Sequence, residues 1–265
     1  MNDNEIIYKP IGYVKSDFKY RYETPRQGIL AKYNISVIKL NKKSNFQQAL
    51  IGIEGFERLW IIYDFHLNKN WKPMVVPPRH TNRKKVGVFA SRAPYRPNSI
   101  GLSCVKLVKI DKLNIYITES DILDGSPVLD IKPYLPYSDA FYNVQTGWVK
   151  DTKENEFQIT INEIAKLKIE WIKKRIGINL DNYIYVQLSF YPDDIKRKRI
   201  KQLDDNNFEL SYRTWRIKYQ IDRFNKILIV LDITSGYSNE ELFNGQDVYE
   251  DKSFHKEFRK MFDSI

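Results

Sequence analysis

The 265-residue chain holds one cysteine, Cys104, and three histidines, His66, His80 and His255. A single thiol excludes an internal disulfide and a multi-cysteine metal centre. The histidines show no metal-ligand spacing, so no metal is expected. Glycine patterns of the G-x-G-x-x-G and Walker kinds are absent, which excludes the glycine turn of the doubly wound fold and the phosphate loop. G-x-S-x-G and H-E-x-x-H are missing too. No apolar run approaches the roughly 20 residues of a membrane-spanning helix. The polar start, MNDNEIIYKP, is unlike a secretory leader. A cytoplasmic protein without membrane contact is the expectation.

Acidic residues vanish from one long interval, between Asp64 and Asp111. The same interval holds Lys69, Lys72, Arg79, Arg83, Lys84, Lys85, Arg92, Arg96, Lys106 and Lys109. A one-sign field repels itself unless an anion meets it. Trp71, His80 and Tyr95 can stack on bases, so the interval reads as RNA contact. A solvated basic loop is the plain alternative. The net charge of +10 fits a polyanionic partner, although a Lys- and Asn-rich composition gives the same charge with none. In PPRHTNRKK, residues 77–85, stiff prolines lead into a basic run that reads as an exposed loop. It offers Arg79, Arg83, Lys84 and Lys85 as RNA contacts.

What is present is mostly strand. IGYVKS (11–16), NISVIKL (34–40), RLWIIYDF (58–65), VGVFAS (86–91), LSCVKLVKI (102–110) and NIYITES (114–120) are short and rich in Val, Ile and Tyr. NFQQALIGIEGF (45–56) reads as a helix. From about residue 150 the pattern changes. INEIAKLKIEWIKKRIG (161–177) predicts a helix with Ile164, Leu167, Trp171 and Ile172 on one face and Gly177 as its C-cap. YIYVQLSFYPDD (183–194) suits strand or helix. FELSYRTWRIKYQID (208–222) and KILIVLDI (226–233) predict a hairpin joined through RFN. Phe254, Phe258 and Phe262 mark an amphipathic helix. Two domains follow: a β-rich one over 1–145 and an α+β extension over 150–265.

Two stretches invite chemistry. ESDILDGSPVLDIKPYLPYSD (119–139) gathers Glu119, Asp121, Asp124 and Asp130 around a DGSP turn. These carboxylates suit general bases, magnesium ligands or partners of a cationic ligand; equally, Asp124 and Asp130 can simply cap turns. The prolines of IKPYLPY argue against a central strand there. In VGVFASRAPYRPNSIGLS (86–103), a strand runs into a turn braced by Pro94 and Pro97. The prolines would fix Arg92 and Arg96 so that little entropy is lost when they bind an anion.

Taken in order, PIGYVKS, PRQG, GFERLWIIYDFH, WKPMVVPPR, VGVFASRAPYRPNSIGLS and DILDGSPVLDIKPYLPYSD resemble the TrmO (TsaA-like) family over roughly residues 7–140. The resemblance implies a mainly β fold: a small β-barrel, not a Rossmann fold, here with an α+β C-terminal extension. It implies S-adenosyl-L-methionine as cofactor and methylation of N6 of adenosine 37 in the anticodon stem-loop of tRNA, on a base already carrying a threonylcarbamoyl group. It also implies a homodimer. Carried over residue by residue, the cofactor contacts are Pro25, Arg26, Gln27, His66, Leu67, Arg92, Leu102, Asp121, Ile122, Leu123, Asp124 and Gly125. Gly28 departs from the family, where proline is frequent.

Chemistry then narrows the roles. A bidentate guanidinium, Arg26 or Arg92, suits the methionine carboxylate. Carboxylates of DILDG suit a sulfonium. An N6 bearing a carbonyl is a poor nucleophile, so His66, Tyr134 or Asp130 is expected as base, and Arg92 or Arg96 as holder of the developing anion. Arg213, Arg216 and Lys218 of the extension, with Arg96, are expected on RNA; packing is their plain alternative. A barrel methylating a small molecule and a non-catalytic RNA-binding module are the competing functions.

Overall fold

The computed structural model describes residues 6–25, 27–31, 34–42, 44–77, 84–151 and 156–262. The chain divides into two compact units, Met1–Lys153 and Glu154–Ile265.

The first unit is mainly β. Its elements are β1 (Gly12–Lys15), β2 (Ser36–Leu40), α1 (Phe46–Ala49), β3 (Arg58–Asp64), β4 (Met74–Val75), β5 (Val86–Gly87), β6 (Ile100–Asp111), β7 (Asn114–Thr118), β8 (Pro127–Pro133) and α2 (Pro136–Asp139). Six strands close an antiparallel barrel in the order β1-β2-β7-β6-β3-β8. Closure leaves no open sheet edge. Alternation in the sequence sets the inside. Along β3, Leu59, Ile61 and Tyr63 point inward while Arg58, Trp60 and Ile62 do not. With Val14, Ile38, Val105, Ile115, Ile117, Ile122 and Val128 they form one apolar core. Each such side chain contributes roughly 1.5–3 kcal/mol by leaving water.

Three expectations fail here. Of the two prolines in IKPYLPY, Pro133 does not prevent a strand: β8 lies between β1 and β3 and closes the barrel. Pro133 stands at the strand's end, where a missing N–H interrupts little of the ladder, and Pro136 begins α2. VGVFAS is not one strand. Only Val86–Gly87 pairs, with β4, and Val88–Ala90 makes a 3-10 turn whose Val88 amide donates to the Pro73 carbonyl (2.9 Å). The helix read over 45–56 shrinks to α1 and a 3-10 turn at Ile53–Gly55, because Gly52 between them takes φ +86°.

The second unit contains β9 (Gln158–Ile161), α3 (Glu163–Ile176), α4 (Leu180–Leu188), β10 (Ile200–Gln202), β11 (Asn207–Tyr212), β12 (Trp215–Asp222), β13 (Ile227–Ser235), α5 (Asn239–Phe243) and α6 (Lys252–Phe262). Its sheet runs β10-β11-β12-β13-β9, antiparallel except for the parallel β13–β9 pair. The long 208–222 stretch is two strands, split by Arg213 at φ +48°. In α3 the buried side is Ala165, Lys168, Ile169 and Ile172, whereas Ile164 and Leu167 are exposed. Lys168 is what misled the periodicity: its ammonium pairs with Asp232 (2.6 Å) beneath its own aliphatic stem. Trp171 meets Phe258 and Phe262 of α6 edge-on.

A polar cluster lies inside this unit. His255 is fully buried, stacked on Trp215 at 3.8 Å between ring centres. Thr214 donates to Asp251 (2.5 Å) and lies 2.9 Å from His255 Nε2. Ser235 Oγ sits 2.8 Å from His255 Nδ1, and the Tyr237 hydroxyl donates to Asp251 Oδ1 (2.9 Å). Among the described residues, no helix is long and apolar enough to cross a membrane, and no three His, Cys, Asp or Glu residues group as a metal site.

Candidate functional site

At one mouth of the barrel β1, β3 and β7 end while β2, β6 and β8 begin. Antiparallel order brings three sequence-distant stretches there: Asp64–Leu67, Ile100–Ser103 and Glu119–Ser126. Close approaches fix them. Gly101 lies under the Tyr63 ring, where a Cβ would stand 2.4 Å from a ring carbon. Gly28 packs on the Glu119 carbonyl with no room for a Cβ (2.2 Å), which sets Gly28 against the 119–121 turn. That contact explains the glycine at this position. Glu119 is held in turn by Arg58 (2.6 Å).

Asp121 is the central carboxylate. Ser103 donates to it at 2.5 Å, and the Tyr63 hydroxyl lies 3.4 Å beyond Ser103. Burial raises the Asp121 pKa, opposed by the Ser103 bond and the Arg92 charge. Burial, then the Asp121 charge, raises Tyr63 as well. His66 Nδ1 sits 3.3 Å from Ser126 Oγ. Its Nε2 faces Gly125, where a Cβ would come within 3.8 Å. Leu67, Arg92 and Leu102 are exposed beside these groups, and Asn68 keeps a buried carbonyl oxygen without a partner.

Other expected residues have different work. Asp124 caps the chain that follows β1: it accepts from the Ser16 amide (2.8 Å) and Lys19 (2.6 Å). Partial burial alone would raise its pKa; the Lys19 ammonium and that amide bring it below the usual carboxylate range. The turn-capping alternative therefore describes it. Ile122 is buried core and can offer a ligand only backbone. Arg96 is not held out for an anion. It donates to the carbonyls of Val88 (3.2 Å) and Ser91 (2.9 Å) and lies over Phe89, so it braces the turn that carries Arg92. Asp130 accepts from the Ile131 amide and Lys132, both at 2.8 Å, and Tyr134 leans on Trp60. Arg216 folds back on the carbonyls of Arg213 and Trp215, and Lys218 shares its strand face. Lys84 and Lys85 are exposed. Arg26, Arg79 and Arg83 lie outside the described residues.

Sequence reading missed Ser103, Ser126 and Tyr63. One signal was available: strict alternation in LSCVKL puts a serine among inward-facing positions, where a polar group needs a partner.

Fold and site together define a closed β-barrel whose polar groups collect at one mouth, built without a phosphate-binding glycine turn. Residues 13–140 match the tRNA-methyltransferase O N-terminal domain. The chain is 41% identical over 143 residues to the mouse tRNA (adenine(37)-N6)-methyltransferase, covering 52% of this chain and 33% of that one. It is 32% identical over 174 residues to the Escherichia coli protein of the same name, covering 63% and 74%. A probable S-adenosyl-L-methionine-binding protein of Pyrococcus abyssi is 42% identical over 145 residues, covering 55% and 77%. The crystal structure of TrmO from Pseudomonas aeruginosa superposes with a TM-score of 0.64 at 26% identity, over 87% of this chain and 100% of that one. The chain belongs to the tRNA-methyltransferase O family. It spans only about a third of the length of the mammalian relatives it matches.

Proposed function

We propose that this protein is an S-adenosyl-L-methionine-dependent tRNA methyltransferase acting on N6 of (threonylcarbamoyl-)adenosine 37. The observation that carries the reading is convergence: the family's motif segments, far apart in the sequence, meet at one barrel mouth around Asp121, His66 and Arg92.

The residues fit the cofactor. Leu67 and Leu102 supply exposed apolar walls, Gln27 and the unpartnered Asn68 carbonyl supply polar atoms, and Asp121 and Arg92 supply opposite charges for a sulfonium and a carboxylate. The bound cofactor provides an already activated methyl group. What remains for the chain is to align the nucleophile and handle its proton. We assign the base to His66: Ser126 holds Nδ1, which fixes the ring and leaves Nε2 toward the open space over Gly125. Asp130 is less suited, since Lys132 and an amide occupy its carboxylate. Arg92 would hold the developing anion or the cofactor carboxylate, with Arg96 bracing its turn.

Lys84 and Lys85 support tRNA contact by charge and exposure, and the half-buried Lys218 by charge alone. A homodimer is supported by an exposed aromatic stretch after the barrel: Tyr137, Phe141 and Tyr142 are 74–86% exposed, and Trp148 ties this stretch to the Ala90 carbonyl (2.8 Å), beside the Arg92 turn. Sedimentation with Phe141→Ser and Tyr142→Ser tests the dimer; an unchanged dimer refutes this interface.

Transfer of labelled methyl to tRNA, with and without the threonylcarbamoyl group, tests the function. Label is expected in the modified tRNA alone. Label in free nucleosides or another small molecule, or in nothing despite tRNA binding, overturns it.

A further inference from the structure

We infer that the outer wall of β1 and β2 is a phosphate-binding surface for the RNA substrate, a reading that rests on tRNA being that substrate. Inward alternation of Val14, Ile38 and Leu40 turns Tyr13, Lys15 and Lys39 outward. The register sets Tyr13 directly opposite Lys39. With Asn41 and Lys42 these residues line a surface hollow of about 430 Å³ that ends on Asp124 and Gly125. The hollow thus runs up to the turn that forms the candidate site's edge.

Charge makes the hollow specific for an anion. Lys15, Lys39 and Lys42 are exposed, and the carboxylate among the lining residues, Asp124, is already engaged by Lys19 and the Ser16 amide. Asp17 acts on Lys19 as well, so the acids nearby serve that lysine first. Lys15 bears the consequence: its contact with Lys19, and more weakly the Lys39 charge, push its ammonium below its ordinary value although Asp124 opposes them. An arriving polyanion relieves that repulsion. Tyr13, 48% exposed among the ammonium groups, gives a flat face for a base or ribose. A folded RNA held here by its backbone would reach the barrel mouth with one nucleotide, since the hollow and the mouth share Gly125. None of these lysines belongs to the acid-free interval of the sequence.

The test is tRNA binding by the full chain across about 0.05 to 0.2 M salt, for the wild type, K39Q/K42Q and K39R/K42R. Lys39 and Lys42 are chosen because neither is a partner of Asp124. The glutamine pair should weaken binding several-fold and make the log–log salt slope shallower by about 1.5, as for two lost phosphate contacts. KM for tRNA should rise with kcat unchanged, and cofactor affinity should stay at the wild-type value, showing an intact barrel. The arginine pair should restore all of it. A wild-type slope and affinity in K39Q/K42Q overturns this surface alone. Absence of tRNA binding by the wild type overturns the substrate reading together with it.

Discussion

Two carboxylates, one in each unit, are held in opposite ways. Asp251 in the second unit is surrounded by donors from Thr214 and Tyr237, with His255 alongside at 3.5 Å. Burial would raise its pKa, yet these partners bring it below the ordinary value. Asp121 at the barrel mouth has the Ser103 hydroxyl and a more distant Arg92, and there burial wins. One cluster is satisfied and closed, which suits a lock on α6. The other is under-satisfied and open, as expected of a group awaiting a ligand.

The sharpest way to break this contrast is at the mouth. His66→Ala should lower single-turnover methyl transfer by about 10²- to 10⁴-fold, the range of a lost general base, with cofactor binding retained. A loss of less than threefold would return His66 to a binding or packing role. Asp251→Asn should instead leave chemistry alone and destabilise the second unit by about 2–3 kcal/mol, because buried hydroxyl donors lose a charged acceptor. Denaturant unfolding followed through Trp171 and Trp215, both in that unit, reads this. Arg96→Lys should fall between the two regions in kind: it keeps the charge but loses the planar Nη1 that donates to both carbonyls. A rise in KM for the cofactor, with stability lowered by roughly 1 kcal/mol, is expected; unchanged KM would mean that the turn does not position Arg92.

These contrasts were only partly legible in the sequence. The alternation of β3, β6 and β7 and the long motifs carried the barrel. The strand β8 was hidden by Pro133 and Pro136, since a residue list does not say that the first ends the strand and the second lies beyond it. His66, Arg92 and Asp121 were singled out because their motifs are distinctive, and the fold brings the three together at one mouth. Ser103 and Tyr63 were not, because their meaning depends on which residues meet across the barrel. Arg96 and Arg216 looked like free cations, since a sequence cannot show a guanidinium folded back on its own backbone carbonyls. Asp251 and His255 are four apart on a short segment, and nothing local marks them as buried partners of Thr214.

The smallest effect concerns pH and separates the two carboxylates by sign. Asp121 has a raised folded-state pKa, so its ionisation costs the fold stability. That cost is absent below the unfolded carboxylate value of about 3.9 and grows as pH rises through the folded pKa. Asp121→Asn removes the charge and keeps an oxygen that can accept from Ser103. The variant should therefore be as stable as the wild type in acid and more stable at neutral pH, while losing cofactor affinity. Asp251 has a lowered folded-state pKa, so its contribution is present above the unfolded value and disappears as pH falls through the folded one. The deficit of Asp251→Asn should accordingly be full at neutral pH and shrink in acid. Paired stability curves from about pH 3 to 8 for each variant against the wild type decide the matter, because differencing cancels the titrating groups that do not interact with the substituted carboxylate. If Asp121→Asn is less stable than the wild type at neutral pH, its carboxylate is a structural group like that of Asp251, and the contrast between the two units collapses.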